Sequence, residues 1–283
     1  MEQNHNMPPY NWRELGLIKN VPIEEQRAFC NVPIYQILPV KCLIKIFRNN
    51  SLRFNNILQS WEDPYELFML KQKITVEGFP NFNAPLELQK NYYGQCWSLN
   101  KDSDAMWRIY SPDKESVRIK TTVMKMINVL KQTRAMMRVA PLFGKVKYLT
   151  QDKITEWLLK TQNDKKLWIF DCFSRSLFVK RCEFEHENEI RFLIHNGNFD
   201  DAPTYDNVYD DYIDMQVEPS TFIEEIALDP RLSDEDFEDR KILLSSITGN
   251  IPICKSDLYT FKPIELSYKE SVMAARISTN ING

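Results

Sequence analysis

The stretch Glu183–Phe192, EFEHENEIRF, has a glutamate at every second position and then an arginine in the same phase. Side chains two residues apart in a β-strand point to the same face of the sheet. If the stretch is a strand, the four glutamates and Arg191 share one face, while Phe184, Ile190 and Phe192 share the other. We expect the apolar face to lie in the core and the carboxylates to form a row on the opposite side.

Two interpretations of this carboxylate row stay open. An edge strand in solvent carries charges because they discourage pairing with other chains. In the second interpretation, two carboxylates project into a cleft, where burial and mutual repulsion raise the pKa of one of them toward that of a general base. The first predicts a structural strand and the second predicts a site.

The bulk composition predicts a single α+β domain. The chain has 283 residues, of which 43% are hydrophobic, so it can bury a substantial core. Strand-like and helix-like segments follow one another without a strict βαβ alternation, which indicates mixed or antiparallel sheets with flanking helices. We expect a polar lead-in over residues 1–30 and one compact domain over residues 31–283, and the sequence leaves the oligomeric state open.

Several classes of site are disfavoured by the residue types present. The chain has seven glycines and contains no GxGxxG, GxxxxGKS or GxSxG motif. Its six cysteines lie far apart and it has three histidines, so we expect no zinc site and no metal. The longest apolar runs are a few residues long and the first residues are polar, so we expect a cytoplasmic protein without membrane contact.

The charges are unevenly distributed along the chain. Residues 114–166 contain thirteen Lys or Arg against four Asp or Glu, and residues 200–239 contain fifteen Asp or Glu against one Arg. A basic surface of this kind predicts a phosphate-bearing ligand or nucleic acid as partner, with the acidic segment excluding nonspecific nucleic acid. The alternatives are two ordinary solvated surfaces, or charges matched within the chain.

Three blocks of sequence together resemble a known family. They are LRFNNILQSWEDPYE (52–66), CWSLNKDSDAMWRIYSPDKESVRI (96–119) and FVKRCEFEHENEIRF (178–192). In order and spacing they resemble the bacterial and phage family catalogued as domain of unknown function 2971. The resemblance runs from about Tyr35 to Tyr259 and is carried in the third block by Lys180, Glu187, Glu189 and Arg191.

The layout of the blocks is in turn similar to that of ADP-ribosyltransferases. This similarity implies that NAD is the substrate and that Glu189 stabilises the positive charge that develops on the ribose as nicotinamide leaves. It also implies that Glu187 orients or deprotonates the acceptor and that Ser98 supports the glutamate and the ribose. The residues it assigns to NAD binding are Tyr35, Arg53, Tyr92, Tyr93 and Tyr110.

Two other functions remain open from the residues alone. Glu187 and Glu189, with Asp63 or Glu66, offer oxygen ligands for Mg²⁺ or Mn²⁺ in a nuclease whose basic stretch holds nucleic acid. A noncatalytic sensor or interaction protein in phage–host conflict would instead pair the glutamates internally. A concave pocket lined by the carboxylates would count against the noncatalytic function.

Overall fold

The computed structural model describes residues 10–11, 30–71, 92–132, 141–163, 169–195 and 211–267. Within these ranges ten strands form one sheet, with the path β1-β6-β9-β4-β2-β5-β11-β12 and with β3 pairing both β4 and β10. A separate parallel pair joins β7 to β8. The strands are β1 Tyr10–Asn11, β2 Pro33–Pro39, β3 Ser51–Asn56, β4 Tyr92–Ser98, β5 Ser116–Thr122, β6 Leu142–Lys145, β7 Lys147–Leu149, β8 Val179–Arg181, β9 Glu189–His195, β10 Tyr212–Gln216, β11 Glu225–Leu228 and β12 Ile253–Lys255.

Helices flank the sheet, so the predicted α+β class, with a mixed and mainly antiparallel sheet, is confirmed. The α-helices are α1 Val40–Asn49, α2 Ile57–Ser60, α3 Asp104–Tyr110, α4 Val123–Gln132, α5 Gln151–Asn163, α6 Ile169–Ser176, α7 Pro219–Phe222 and α8 Asp234–Thr248, with 3₁₀ helices at Phe68–Lys71 and Cys182–Glu187. Side-chain caps begin α3 and α8, among others. The hydroxyls of Ser103 and Ser233 accept from the third backbone N–H that follows, at the starts of α3 and α8.

Strand β9 lies between β4 and β6, and all seven of its residues are buried. Its side chains alternate between two apolar clusters. Ile190, Phe192 and Ile194 pack into the main core with α1 and α4, whereas Leu193 packs into a second cluster with α5 and α6. Glu189 and Arg191 share the face of Leu193, so the strand carries two charged side chains into the protein interior.

The predicted long strand through the glutamate row is wrong before residue 189. Cys182–Glu187 form a 3₁₀ helix that ends at Asn188 in the left-handed conformation, with φ 43° and ψ 58°. Asn is one of the few residue types that adopt this conformation readily. Strand parity therefore does not apply to the row: Glu183 and Glu185 are exposed, and Phe184 is half-buried at the cleft described below rather than in the core.

Strand β4 is forked on one side. It pairs along its whole length with β9, but on its other edge it pairs with β3 near Gly94 and with β2 only at Ser98. The side-chain amide of Gln36 donates to Gln95 Oε1 at 2.8 Å and to the Cys96 carbonyl at 3.0 Å, which bridges the opening. The divergence of β2 and β3 leaves a gap over the middle of β4.

The predicted lead-in over residues 1–30 lies outside the described residues apart from Tyr10–Asn11 and Cys30. Tyr10–Asn11 pairs with Leu142 and Phe143 of β6. This short stretch of the lead-in therefore extends the sheet at one edge.

Candidate active site

A cleft of about 500 Å³ opens where β2 and β3 diverge along β4. Its walls come from β2, β4, α3, the loop after α2, and the Cys182–Glu187 3₁₀ helix. This volume is in the range of small-molecule sites. Five of the residues predicted for the site line the cleft: Tyr35, Ser98, Tyr110, Glu187 and Glu189.

The Lys180 ammonium lies among three buried carboxylates at the base of the cleft. Its Nζ is 2.6 Å from Glu187 Oε2, 3.2 Å from Glu66 Oε1 and 3.6 Å from Glu189 Oε2. Burial alone would lower the pKa of Lys180, but the carboxylates favour the charged form and the pKa is raised. Lys180 is therefore a permanent cation at this position.

Arg191 is fully buried behind Glu189 and holds it from two directions. Its Nε donates to Glu189 Oε1 at 2.8 Å and its Nη2 donates to Oε2 at 3.0 Å. Nη2 also donates to Glu66, and the guanidinium lies 4.0 Å from the ring centroid of Trp61. This bidentate pairing fixes the orientation of the Glu189 carboxylate.

Glu189 is held ionised. Burial raises its pKa, but the charges of Arg191 and Lys180 outweigh burial and set the pKa at about 2. Because two cations face it, Glu189 is not a carboxylate of the row whose pKa is raised. Each carboxylate oxygen has a second lone pair, so Glu189 can accept a further hydrogen bond from a ligand hydroxyl.

Glu187 is held between α3 and Lys180. The Tyr110 hydroxyl donates to Glu187 Oε1 at 3.1 Å, and Lys180 donates to Oε2 at 2.6 Å. Burial and the Glu187 charge raise the pKa of Tyr110, so its hydroxyl keeps its proton. Because Tyr110 is 42% exposed, its ring borders the mouth of the cleft.

Ser98 lines the cleft, and its hydroxyl bonds to backbone groups rather than to a carboxylate. Its hydroxyl donates to the backbone carbonyl of Glu187 at 2.6 Å and accepts from the Asn100 N–H at 3.0 Å. Ser98 also lies opposite Glu189 in the β4–β9 register. Ser98 thus supports the backbone that carries the two glutamates rather than a carboxylate directly, and its support of the ribose stays a prediction.

The structure does not bring Arg53, Tyr92 and Tyr93 to the cleft. Arg53 forms a bidentate pair with Asp214 of β10 at 2.9 Å and lies over the Tyr212 ring. The two tyrosines are 3% exposed and pack in the two apolar clusters. Their alternation on β4 places each in a core, so neither ring is available to a ligand in the cleft.

Glu66 is the residue of this cluster to which the transferase interpretation assigned no role. It contacts both Lys180 and Arg191 although it comes from the loop after α2, more than 110 residues earlier in the chain. Asp63 in the same loop accepts from the Tyr65 N–H and pairs with Arg181 at 3.0 Å. The available signal was the order of residues in the first block, in which Glu66 closely follows the turn-forming pair Asp63-Pro64.

Part of the basic stretch is matched by the acidic segment. Buried Arg118 pairs with Glu225 at 2.7 Å, and Glu224 pairs with Lys125 at 3.0 Å and with Lys120 at 3.4 Å. These contacts join β5 and the start of α4 to the turn before β11. Among the described residues, charge matching within the chain therefore accounts for one end of the basic stretch.

Among the described residues, no group of three or more His, Cys, Asp or Glu side chains is arranged to hold a metal ion. In the same ranges no helix has both the length and the apolar character needed to cross a bilayer.

The chain thus combines an α+β fold with a cleft lined by carboxylates, and it is similar in sequence to a known family and in structure to solved proteins. The family described as Protein of unknown function (DUF2971) matches residues 106–192. The match confirms the resemblance over part of the second block and all of the third, including Tyr110, Lys180, Glu187, Glu189 and Arg191.

Solved structures of one protein are also similar to this chain. DarT from Thermus sp. 2.9 in complex with NAD+ has a TM-score of 0.37 and 13% sequence identity, with 82% of this chain and 98% of that chain covered. The same protein in complex with ADP-ribosylated ssDNA has a TM-score of 0.37 and 12% identity, over 82% of this chain and 97% of that chain. No curated protein sequence matches the chain significantly.

Proposed function

We propose that this protein is an ADP-ribosyltransferase-like enzyme that uses NAD as donor. The observation that carries the proposal is the convergence of Glu187 and Glu189 on one cleft, with Glu189 fixed and ionised by Arg191. The resemblance of the order of motifs to that of ADP-ribosyltransferases also supports the proposal. We place the protein's biological role in phage–host conflict as part of the same proposal.

The arrangement suits cleavage of a glycosidic bond that leaves positive charge behind. In the reaction the bond between ribose C1 and the nicotinamide nitrogen breaks, nicotinamide leaves with the bonding electron pair, and the ribose becomes cationic. A preorganised carboxylate beside the ribose stabilises that charge without reorganisation. Glu189 fits this role because it is ionised and its orientation is fixed.

Glu187 would handle the acceptor. Its carboxylate lines the same cleft and accepts a hydrogen bond from the Tyr110 hydroxyl. A carboxylate at this place can orient the acceptor nucleophile and take its proton as the new bond to ribose C1 forms. Tyr110 and Tyr35 line the cleft and offer ring faces to the nicotinamide.

A second function, a noncatalytic sensor or interaction protein, is favoured by one specific observation. Lys180 lies within 3.6 Å of all three carboxylates, so the cluster is neutralised internally to a large extent. A buried network of this kind also occurs as a purely structural feature. The concave cleft over the carboxylates is the observation that favours the transferase over this function.

The test is transfer from NAD labelled in its adenylate phosphate. The full chain is incubated with labelled NAD and a bacterial cell extract, and free nicotinamide and label in macromolecules are measured. We expect both to appear, and we expect Glu189→Gln to lower the rate by about 100-fold or more, as for removal of a preorganised electrostatic group. Glu185→Gln is the matched control, because this exposed glutamate lies in the same 3₁₀ helix outside the cleft.

The proposal is overturned if the wild-type chain releases no nicotinamide above the blank. It is also overturned if Glu189→Gln, with an unchanged melting temperature, reacts as fast as the wild type.

A further inference from the structure

The lining of the cleft carries more carboxylates than cations. Among the described lining residues, Lys180 is the cation, and the carboxylates are Glu62, Asp63, Glu66, Glu187 and Glu189. Arg191 and Arg181 reduce this excess from outside the lining, through Glu189, Glu66 and Asp63. The three cations Lys180, Arg181 and Arg191 balance three of the five carboxylate charges, so the described charges leave the cleft negative.

Apolar and aromatic side chains border the mouth of this negative cleft. Ile109 and Tyr110 of α3 are 54% and 42% exposed, and Met106 lies on the same helix. Phe184 and Trp61 lie among the other lining residues. Aromatic faces beside carboxylates favour a flat ring that carries a positive charge.

The two halves of NAD carry opposite charges. Its nicotinamide ring is a cation, and its pyrophosphate carries two negative charges. A pyrophosphate among the lining carboxylates would meet like charges, which is unfavourable in a partly buried site. Arg53, which the resemblance assigned to NAD binding, is held by Asp214 outside the cleft.

We infer that the cleft recognises the cationic nicotinamide–ribose half of NAD and that the ADP half contributes little to binding. The inference rests on the proposed function, since it takes NAD as the donor, and it specifies the substrate class as nicotinamide ribosides. The positive ring is bound by the lining carboxylates and the aromatic mouth, and the ribose lies beside Glu189.

The test is calorimetric titration of the full chain with a panel of ligands. We expect the Kd of nicotinamide riboside to be within roughly threefold of that of NAD, and ADP-ribose to bind at least about tenfold more weakly than the riboside.

A second pair of ligands tests the effect of the ring charge alone: 1-methylnicotinamide is a cation and nicotinamide is a neutral ring of similar shape. The cation should bind more tightly by roughly threefold or more, and added salt should weaken its binding and leave that of nicotinamide unchanged.

A matched pair of variants tests whether the negative charge that binds the cationic ring lies in the cleft. Glu187→Gln keeps an oxygen for Tyr110 and removes one negative charge from the lining, so it should reduce the preference for 1-methylnicotinamide over nicotinamide. Glu185→Gln makes the same charge change on the exposed side of the 3₁₀ helix and should leave the preference unchanged. Melting temperatures establish that both variants are folded.

The outcomes separate this inference from the proposed function. If NAD is consumed but ADP-ribose binds at least as tightly as nicotinamide riboside, the inference is overturned and the transferase stands. If the riboside binds as expected but labelled NAD is not consumed, the inference about recognition holds and the transferase is overturned. If neither NAD nor the riboside binds, both are overturned.

Discussion

At the scale of single residues, the site depends on how Arg191 and Lys180 hold Glu189. The carboxylate accepts two hydrogen bonds from Arg191, and its pKa is about 2, so it carries its full charge at any pH near neutrality. In the proposed reaction, Glu189 acts through its charge and position, since it cannot take up a proton in this range. The proposed group for proton transfer from an acceptor is Glu187, on the other side of Lys180.

His195, the last residue of β9, makes the stability of the protein depend on pH. It is 4% exposed, neither ring nitrogen has a hydrogen-bond partner among the described residues, and burial lowers its pKa to about 4. In the unfolded chain a histidine takes up a proton near pH 6.5, whereas the folded protein resists it until about pH 4. Stability should therefore fall by about 3 kcal/mol as the pH is lowered from 6.5 to 4.

Urea unfolding of the wild type and of His195→Leu, measured from pH 7.5 to pH 4.5, checks this expectation. The carboxylate of Glu189 contributes the same slope to both proteins, and that slope is small until the pH approaches the ordinary glutamate pKa of 4.5. The variant should lose most of the decline seen in the wild type. An equal decline in both proteins would show that His195 is not the cause.

The resemblance to ADP-ribosyltransferases was sufficient to group part of the candidate site. Tyr35, Ser98, Tyr110, Glu187 and Glu189 were assigned through the resemblance, and the structure brings all five to one cleft. The contacts of Glu66 with Lys180 and Arg191 join residues far apart in the chain, so the sequence offered Glu66 only as an alternative metal ligand beside Glu187 and Glu189. Arg53 was misplaced for the same reason: its partner Asp214 lies on β10, and strand pairing is not encoded locally.

At the scale of elements, the conformation of Asn188 allows Glu187 and Glu189, on either side of it, both to contact Lys180. Asn188 ends the 3₁₀ helix in the left-handed region, and its side chain donates to Asn100 Oδ1 at 2.9 Å. The periodicity of glutamates suggested one continuous strand, because a single left-handed residue leaves no mark on the hydrophobic pattern. The strand from Glu189 onward, with apolar residues in the predicted phase, was correctly predicted from the sequence.

Substitution of Asn188 tests this conformation. Asn188→Gly and Asn188→Ala both lose the hydrogen bond to Asn100, but glycine tolerates positive φ and alanine does not. Asn188→Ala should therefore be less stable than Asn188→Gly by about 1 kcal/mol in urea unfolding. If alanine is as stable as glycine at this position, the left-handed end of the 3₁₀ helix is wrong.

At the scale of the whole molecule, the fork in the sheet explains why a cleft exists in an otherwise closely packed fold. Strand β4 changes partner from β3 to β2 along its length, and amides of Gln36 and Gln95 bridge the opening. The α+β class followed from composition and the order of elements. The fork did not, since it depends on which edge of β4 each neighbouring strand occupies.

The charge distribution also has a consequence for the whole molecule. The basic and acidic stretches pair where β5 and α4 meet the turn before β11. Residues 133–140, 164–168 and 200–210, which carry part of both stretches, lie outside the described residues. That nucleic acid binds residues 114–166 stays a prediction.

The most direct test of the central claim is a calorimetric titration with NAD of the wild type, Glu189→Gln and the control Glu185→Gln. We expect saturable binding by the wild type and the control, and weaker binding by Glu189→Gln at an unchanged melting temperature. Absence of binding by the wild type at millimolar NAD would contradict the account, and the carboxylates around Lys180 would then be a structural ion-pair network.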